Sequence, residues 1–398
     1  MLNTLRDKIK FKSEEILPKI KEYRKHLHMN PELSFQEFET AKFIEAKLDD
    51  LGIKHERISE TGIVALIEGG EPGKVIGLRA DMDALPIQEV DDGRKHRSLN
   101  DGVMHACGHD AHSSALLGAA EILNSMKDDL KGTIKLVFQP GEEKQPGGAS
   151  ILIKNGVLDN PKVDLMIGQH VMPLIKTGNV GFRPGLYMAS TDEIFIDIHG
   201  KGGHGAMPHF CVDPITVAAQ VITALQQVIS RINNPAIPSV LTLGKIEGMG
   251  ATNVIPPVVK MQGTFRTFDE EWREKAHKKI EQIATSVAAG FDAKAEVKIS
   301  KGYPFLKNDI DLTHSCETAA REYLGKEHVE EMGIWMAGED FSYYSQEVPS
   351  VFYRFGIRNE SLGITENVHH PAFDIDTDSL KTATGMMAWL ACYHGHSA

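Results

Sequence analysis

The spacing of apolar and polar residues divides the chain into two regimes. Up to about residue 185, short apolar runs alternate with amphipathic stretches. Two helices are predicted over 14–52, broken at Met29-Asn30-Pro31 and stopped at Gly52. Strands follow at 63–66, 74–78, 133–138 and 163–167, with helices over about 110–126 and 149–155. The 110–126 segment has small and apolar residues nearly all round, the pattern of a buried helix. Strands alternating with helices predict an α/β core with a mostly parallel central sheet, whose binding crevice lies beyond the carboxyl ends of the strands.

From about residue 188 the order changes to strand 193–199, helix 214–232, strands 240–245 and 258–267, helix 270–289 and strand 295–299. That is β-α-β-β-α-β, the ferredoxin-like sequence of elements. After Tyr303-Pro304 the α/β pattern resumes with a helix near 309–324, a strand near 350–355 and a closing helix near 379–392. The 398 residues exceed the size at which one core keeps growing. The expected division is a catalytic domain whose first part is 1–186, an inserted ferredoxin-like α+β domain over 187–301, and a second catalytic part over 302–398. The core is discontinuous if residues on both sides of the insert share one site. No internal repeat interrupts this reading.

Composition changes the picture little. With 41% hydrophobic and 25% charged residues, the chain reads as a soluble globular protein. A formal charge of -12 argues against nucleic acid or an anionic membrane as a general partner, while a local arginine or a metal can still bind a small anion. The stretch 1–22 is rich in Lys and Glu without an apolar signal core, and no apolar run approaches membrane-spanning length. Cys107, Cys211, Cys316 and Cys392 are far apart and form no Cys-x-x-Cys pair, so reduced thiols in a cytoplasmic protein are expected.

The chemistry concentrates in four places. Met104-His105-Ala106-Cys107-Gly108-His109-Asp110-Ala111-His112 puts a thiolate and several imidazoles within nine residues, ahead of the apolar helix. Gln139-Pro140-Gly141-Glu142-Glu143, Gly168-Gln169-His170 and Val368-His369-His370-Pro371 each follow an apolar or aromatic run. Cys, His and carboxylate are the ligand types that zinc and similar metals select. Cys107 and His109 alternate, so on an extended segment both point one way. Of the acidic pair, one carboxylate can bind metal while the other serves as general base. His105 and His112 read as supporting residues, and Asp81 and Asp83 as carboxylates able to orient an imidazole ligand. Residue chemistry alone leaves His369 and His370 as alternatives. Each segment also has a plain structural reading: a buried inert thiol, a surface acidic pair, a core histidine, loop capping. In the insert, four glycines surround His204 in Gly200-Lys201-Gly202-Gly203-His204-Gly205-Ala206, while Asn253 and Arg266 offer an amide and a guanidinium suited to carbonyl and carboxylate recognition.

These motifs, with Arg24-Lys25-His26-Leu27-His28-Met29-Asn30-Pro31-Glu32-Leu33, Gly77 to Pro86 and Ala337-Gly338-Glu339-Asp340-Phe341, resemble the dinuclear-metal aminoacylase and carboxypeptidase family almost end to end. The match is nearest to its amidohydrolase branch of hippurate hydrolases, N-acyl-amino-acid hydrolases and auxin-conjugate hydrolases. The resemblance implies two divalent ions, zinc or else manganese or cobalt, on Cys107, His109, Glu143, His170 and His369, with His369 preferred because the branch's ligand stands two residues before the proline. It implies Glu142 as general base, His204 as the residue that polarises the scissile carbonyl in a second copy's site, Asn253 and Arg266 as substrate-binding residues, and Asp81 behind the ligands. It also implies a homodimer or higher homo-oligomer through the insert. One departure is the strand end Arg79-Ala80-Asp81, where many members carry His-x-Asp; Cys107 and His109 then compensate for a missing ligand.

The activity so implied is hydrolysis of the amide bond of N-acyl amino acids, acetyl or aromatic, by an activated water. An N-acetyl-diaminopimelate-type deacetylase or a dipeptidase would use the same machinery. A catalytically silent metal- or peptide-binding protein and a hydrolase with Cys107 as nucleophile are the readings from other classes.

Overall fold

The apolar run Lys131–Gln139 forms an interior strand of the larger sheet in the computed structural model, which describes residues 2–396. Eight strands lie in the order Lys54–Arg57, Ile63–Glu68, Lys131–Gln139, Glu71–Asp81, Leu165–Lys176, Ser350–Arg358, Val180–Phe182 and Val329–Glu331. The four interior strands from Lys131–Gln139 to Ser350–Arg358 run parallel, and antiparallel pairings flank them on both sides. Interior parallel strands are covered on both faces, which is why they read as near-continuous apolar runs.

Helix His109–Ser125 packs against Leu17–Met29, Ser379–His396 and the Glu71–Asp81 strand. Its Ala111, Ala115, Ala119 and Ala120 are fully buried, and such small side chains let neighbouring helices approach closely. Leu116, Leu117 and Leu123 have no exposure, each worth about 1.5–3 kcal/mol of transfer free energy.

The two helices expected over 14–52 are Leu17–Met29 and Phe38–Asp50, and a helix that the sequence reading leaves out, Leu2–Glu15, precedes them as the first of three. The first carries only Leu5 and Ile9 as buried apolar residues, too narrow a stripe to stand out among its lysines and glutamates. The strand expected at 163–167 continues to Lys176, so His170 lies within it rather than at its end. Pro173 disguises the continuation; the pairing with Ser350–Arg358 becomes irregular after Met172, where a missing N–H is tolerated.

The chain separates into two compact units, one of residues 1–187, 307–334 and 340–398 and the other of 188–306 with 335–339. The segment 335–339 thus groups with the second unit, whereas the sequence division puts it in the core. The second unit's sheet is antiparallel in the order Ser239–Glu247, Val258–Thr267, Asp192–His199 and Lys294–Lys301. Ile194, Ile196 and Ile198 alternate inward against helices Pro214–Gln227 and Glu270–Ala289. Asp213 and Asp269 start those helices by accepting from the backbone N–H of Ile215 and Trp272. One helical stretch among the described residues, Pro214–Ile232, is long and apolar enough to cross a membrane, contrary to the expectation of none. Here its Val217, Val221, Leu225 and Val228 enter the core of this unit.

Candidate metal centre

The site begins with two parallel strand ends. Asp81 lies opposite Gln139, so Glu71–Asp81 and Lys131–Gln139 release their chains at one edge. Asp83, two residues on, is buried and gathers the site's backbone. Its Oδ1 accepts from Glu142 N at 3.0 Å and pairs with His109 Nδ1 at 3.3 Å. Its Oδ2 accepts from Glu143 N at 3.0 Å and Ser34 Oγ at 2.6 Å. Burial opposes the charge on Asp83, yet its bonds with His109, Ser34 and Glu143 hold the pKa below the usual carboxylate value. One carboxylate therefore fixes the Glu142-Glu143 turn and the ring of His109 together.

Cys107 and His109 do not share an extended segment. Gly108 between them adopts φ +81, and His109 is the first residue of the long helix. A Cβ on Gly108 would stand 2.8 Å from Val171 Cγ2, so both backbone and space require glycine. The left-handed turn, in place of strand alternation, directs both side chains to one centre.

The ligand atoms of Cys107, His109 and His170 lie within 4.8 Å of one another, as do those of Cys107, Glu143 and His369, and those of His109, Glu142 and Glu143. Cys107 Sγ is 3.4 Å from His170 Nε2, and Glu143 Oε1 is 3.2 Å from His369 Nε2 and 4.0 Å from His109 Nε2. The imidazoles are oriented from behind. His170 Nδ1 faces Val171 O at 2.8 Å and can only donate there, leaving the Nε2 lone pair on the Cys107 side. His109 Nδ1 engages Asp83, while Nε2 is buried with no hydrogen-bond partner, as is Glu143 Oε1.

The electrostatics fit a cation. Burial, then Glu143, raises the Cys107 thiol. Burial opposes charge on His109, but Asp81 and Cys107 raise its pKa well above the ordinary value. Cys107 and Glu143 raise His369 to about 10. Burial, with Arg354 and His112 nearby, lowers the His170 pKa well below the ordinary value. Together, the imidazoles, a thiol and a carboxylate with lone pairs facing a common space form a donor set fit for zinc-like divalent ions.

Asp81 adjoins the cluster, with Oδ2 3.8 Å from His109 Nε2 and Oδ1 2.6 Å from His112 Nδ1, and the ligand atoms of these three residues also lie within 4.8 Å of one another. His112 Nε2 in turn accepts from Val171 N at 2.9 Å, so both its nitrogens are engaged. Arg79, at the departure from His-x-Asp, donates to Asp81, Gln139 and Asp340 from a fully buried position. Asp340 N donates to Glu142 Oε1 at 3.4 Å, so the buried Glu142 carboxylate is held from the side of Asp340. Sequence reading names Asp81 and Asp83 as candidates and His112 as a supporting residue, and gives Arg79, Gln139 and Asp340 no specific role. The available sign is charge inside apolar strands, as in Gly77-Leu78-Arg79-Ala80-Asp81, since a buried charge needs a partner.

His369 sits on a loop with φ +64, its N donating to Ala106 O at 2.7 Å. His370 is exposed, pairs with Glu366 at 3.5 Å and accepts from Ala372 N, so of the two adjacent histidines only His369 joins the cluster.

His204, Asn253 and Arg266 lie in the second unit. His204, in the short strand Gly203–His204, pairs with Val254, while Gly205 N donates to Asn253 O at 2.8 Å, so these two segments adjoin. Ala206 N donates to His204 Nδ1, which places the neutral ring's proton on the exposed Nε2. Arg266, on Val258–Thr267, keeps NH1 buried without a hydrogen-bond partner, and burial lowers its pKa.

Known proteins match this arrangement. The model of peptidase family M20/M25/M40 matches residues 77–392. The chain is 43% identical over 362 residues to an N-acetyl-L-cysteine deacetylase of Bacillus subtilis (91% of this chain, 84% of that protein). It is 42% identical over 299 residues to an N-acyl-L-amino acid amidohydrolase of Geobacillus stearothermophilus (75% and 80%). The crystal structure of a dinuclear metal binding peptidase of the M20 family from Bacillus subtilis superposes with a TM-score of 0.80 at 35% identity, covering 95% of this chain and 98% of that one. The match over residues 77–392 assigns the chain to peptidase family M20/M25/M40, as a hydrolase of amide bonds.

Proposed function

We propose that the protein removes the acyl group from N-acyl amino acids, using two divalent ions held by Cys107, His109, Glu143, His170 and His369. The observation that carries this reading is the convergence of three clusters on shared residues, with His109 Nε2 and Glu143 Oε1 buried and lacking hydrogen bonds. Bound there, zinc, manganese or cobalt would supply Lewis acidity and lower the pKa of water. Glu142 takes the proton of the attacking water and returns it to the leaving nitrogen, a role suited to a carboxylate buried beside ligands but held by Asp340. His204, with its proton on Nε2, donates to the carbonyl oxygen as charge develops, in the site of a second copy. Arg266 and Asn253 hold the amino-acid carboxylate, for which the unpartnered Arg266 nitrogen is suited.

The names of the relatives favour an acetyl or other small-molecule N-acyl substrate. A nucleophilic Cys107 is disfavoured because burial raises its thiol. A second copy would dock on the margin of the insert sheet, where Ser239–Glu247 has a partner on one side only and exposes Val240 and Ile246. Four cysteines without disulfides suit a reducing, cytoplasmic setting.

The test is hydrolysis of N-acetyl and N-benzoyl amino acids by protein stripped with chelator and reloaded with zinc, manganese or cobalt. Activity that vanishes on stripping and returns with metal supports the reading. Activity indifferent to verified metal loss ends it.

A further inference from the structure

The motif Arg24 to Leu33 supplies no ligand, yet its Arg24 is 1% exposed and ties two ligand-bearing segments together. Arg24 Nε donates to Asp110 Oδ2 at 2.8 Å, and Asp110 follows His109 in the first turn of the long helix. Arg24 NH2 lies 2.8 Å from Asp374 Oδ1, on the loop that carries His369. His28, one helical turn on, places Nδ1 2.6 Å from the same Asp110 oxygen and Nε2 3.2 Å from Glu89. The His369 loop is fastened again by the 89–96 segment. Val90 N donates to Pro371 O, Arg94 donates to Phe373 O at 2.9 Å, and His96 Nε2 is 2.9 Å from Asp374 Oδ2. The need for such fastening is visible at His369, half exposed, in a left-handed conformation and outside any helix or strand.

We infer that Arg24 is a positioning residue, a buried cation that sets the His369 loop against the Cys107-Gly108-His109 turn through Asp374 and Asp110. Two carboxylates on separate segments can be held at a fixed spacing by one planar guanidinium; an ammonium cannot span both in this way. The inference rests on the proposed metal centre, because the spacing it maintains is that of His369 relative to Cys107 and His109.

Asp374→Asn is the primary variant, since it weakens the loop's ties to Arg24 and His96 and leaves Arg24 paired with Asp110. Hydrogen exchange of segment 366–374 in metal-free protein should speed up roughly tenfold or more, the loss expected when the charge-assisted bonds to Arg24 and His96 weaken. Retention of zinc against a competing chelator should weaken about 10–100-fold for one ion per chain, with the other little changed. Arg24→Lys should loosen both ions, and Lys21→Met, which breaks a surface pair with Asp378, should alter neither readout. Exchange of 366–374 unchanged in Asp374→Asn, or equal loosening of both ions, overturns the inference. A wild-type protein that binds no zinc would instead overturn the metal centre, while the exchange measurement would still decide whether Arg24 and Asp374 hold the loop.

Discussion

Replacing Asp83 by asparagine should damage the site more than its conservative size suggests. The carboxylate accepts four hydrogen bonds, from Glu142 N and His109 Nδ1 on one oxygen and from Glu143 N and Ser34 Oγ on the other. An amide presents one acceptor and one donor face. With its oxygen toward Glu142 and His109, the amide NH2 confronts Glu143 N, while Ser34 can rotate its hydroxyl to accept. The opposite orientation orphans Glu142 N and requires His109 to move its proton to Nε2, the nitrogen that faces the ligand cluster. The first orientation is therefore cheaper, and displacement falls on Glu143. One orphaned buried N–H costs about 1–3 kcal/mol, and loss of charge assistance at His109 and Glu142 adds roughly 1 kcal/mol, giving about 2–4 kcal/mol in all. Because part of that cost is already borne by the metal-free protein, the expected outcome is metal affinity lowered about 10–100-fold, read by chelator competition, with a matching fall in kcat/KM on N-acetyl amino acids. Ser34→Ala removes one of the four bonds and should cost under about tenfold. An Asp83→Asn protein within twofold of wild type in both measurements would refute the reasoning.

Other consequences are equally direct. Glu142→Gln should lower kcat about 10²–10⁴-fold while metal content and thermal stability stay near wild type, because the carboxylate acts on protons rather than on folding. Gly108→Ala should lose about 2–4 kcal/mol in denaturant unfolding, from a left-handed backbone and contact with Val171, and should bind metal more weakly. His394, buried with Nε2 3.2 Å from Cys316 Sγ, has its pKa lowered to about 4 by burial and then Lys74. The folded state refuses a proton that the unfolded chain takes up near 6.5, so its stability contribution is complete above that pH and about 3 kcal/mol is lost as pH falls toward 4. His394→Gln should flatten that slope in urea titrations across pH 7 to 4. In the second unit, burial opposes charge on Asp192, but His277 and Arg273 bring its pKa to about 2. That contribution is complete above pH 3.8 and about 2 kcal/mol is lost as pH falls toward 2, a loss that Asp192→Asn should remove from the pH profile.

Local sequence determined the periodic elements and the donor types. Glu270–Ala289 and Val258–Thr267 have the boundaries their hydropathy predicts, since a capping aspartate or an alternating stripe is a local property. Cys107, His109, Glu142, Glu143, His170 and His369 were legible as chemistry because such residues adjoin apolar segments, where polar side chains need a reason. Local pattern misjudged the first helix, whose buried stripe is thin, and the Leu165–Lys176 strand, whose proline is accommodated only by an irregular partner strand.

Only the tertiary structure decided which groups support the ligands. Asp83 serves Glu142, Glu143 and His109, which lie 59, 60 and 26 residues away in the chain. His369 rather than His370 groups with Cys107 and Glu143, on a loop placed by one backbone bond to Ala106 and a left-handed φ. Donor chemistry is a property of a residue and can be read one position at a time. Orientation is set by burial and by hydrogen bonds between distant segments, and these exist only once the chain has folded.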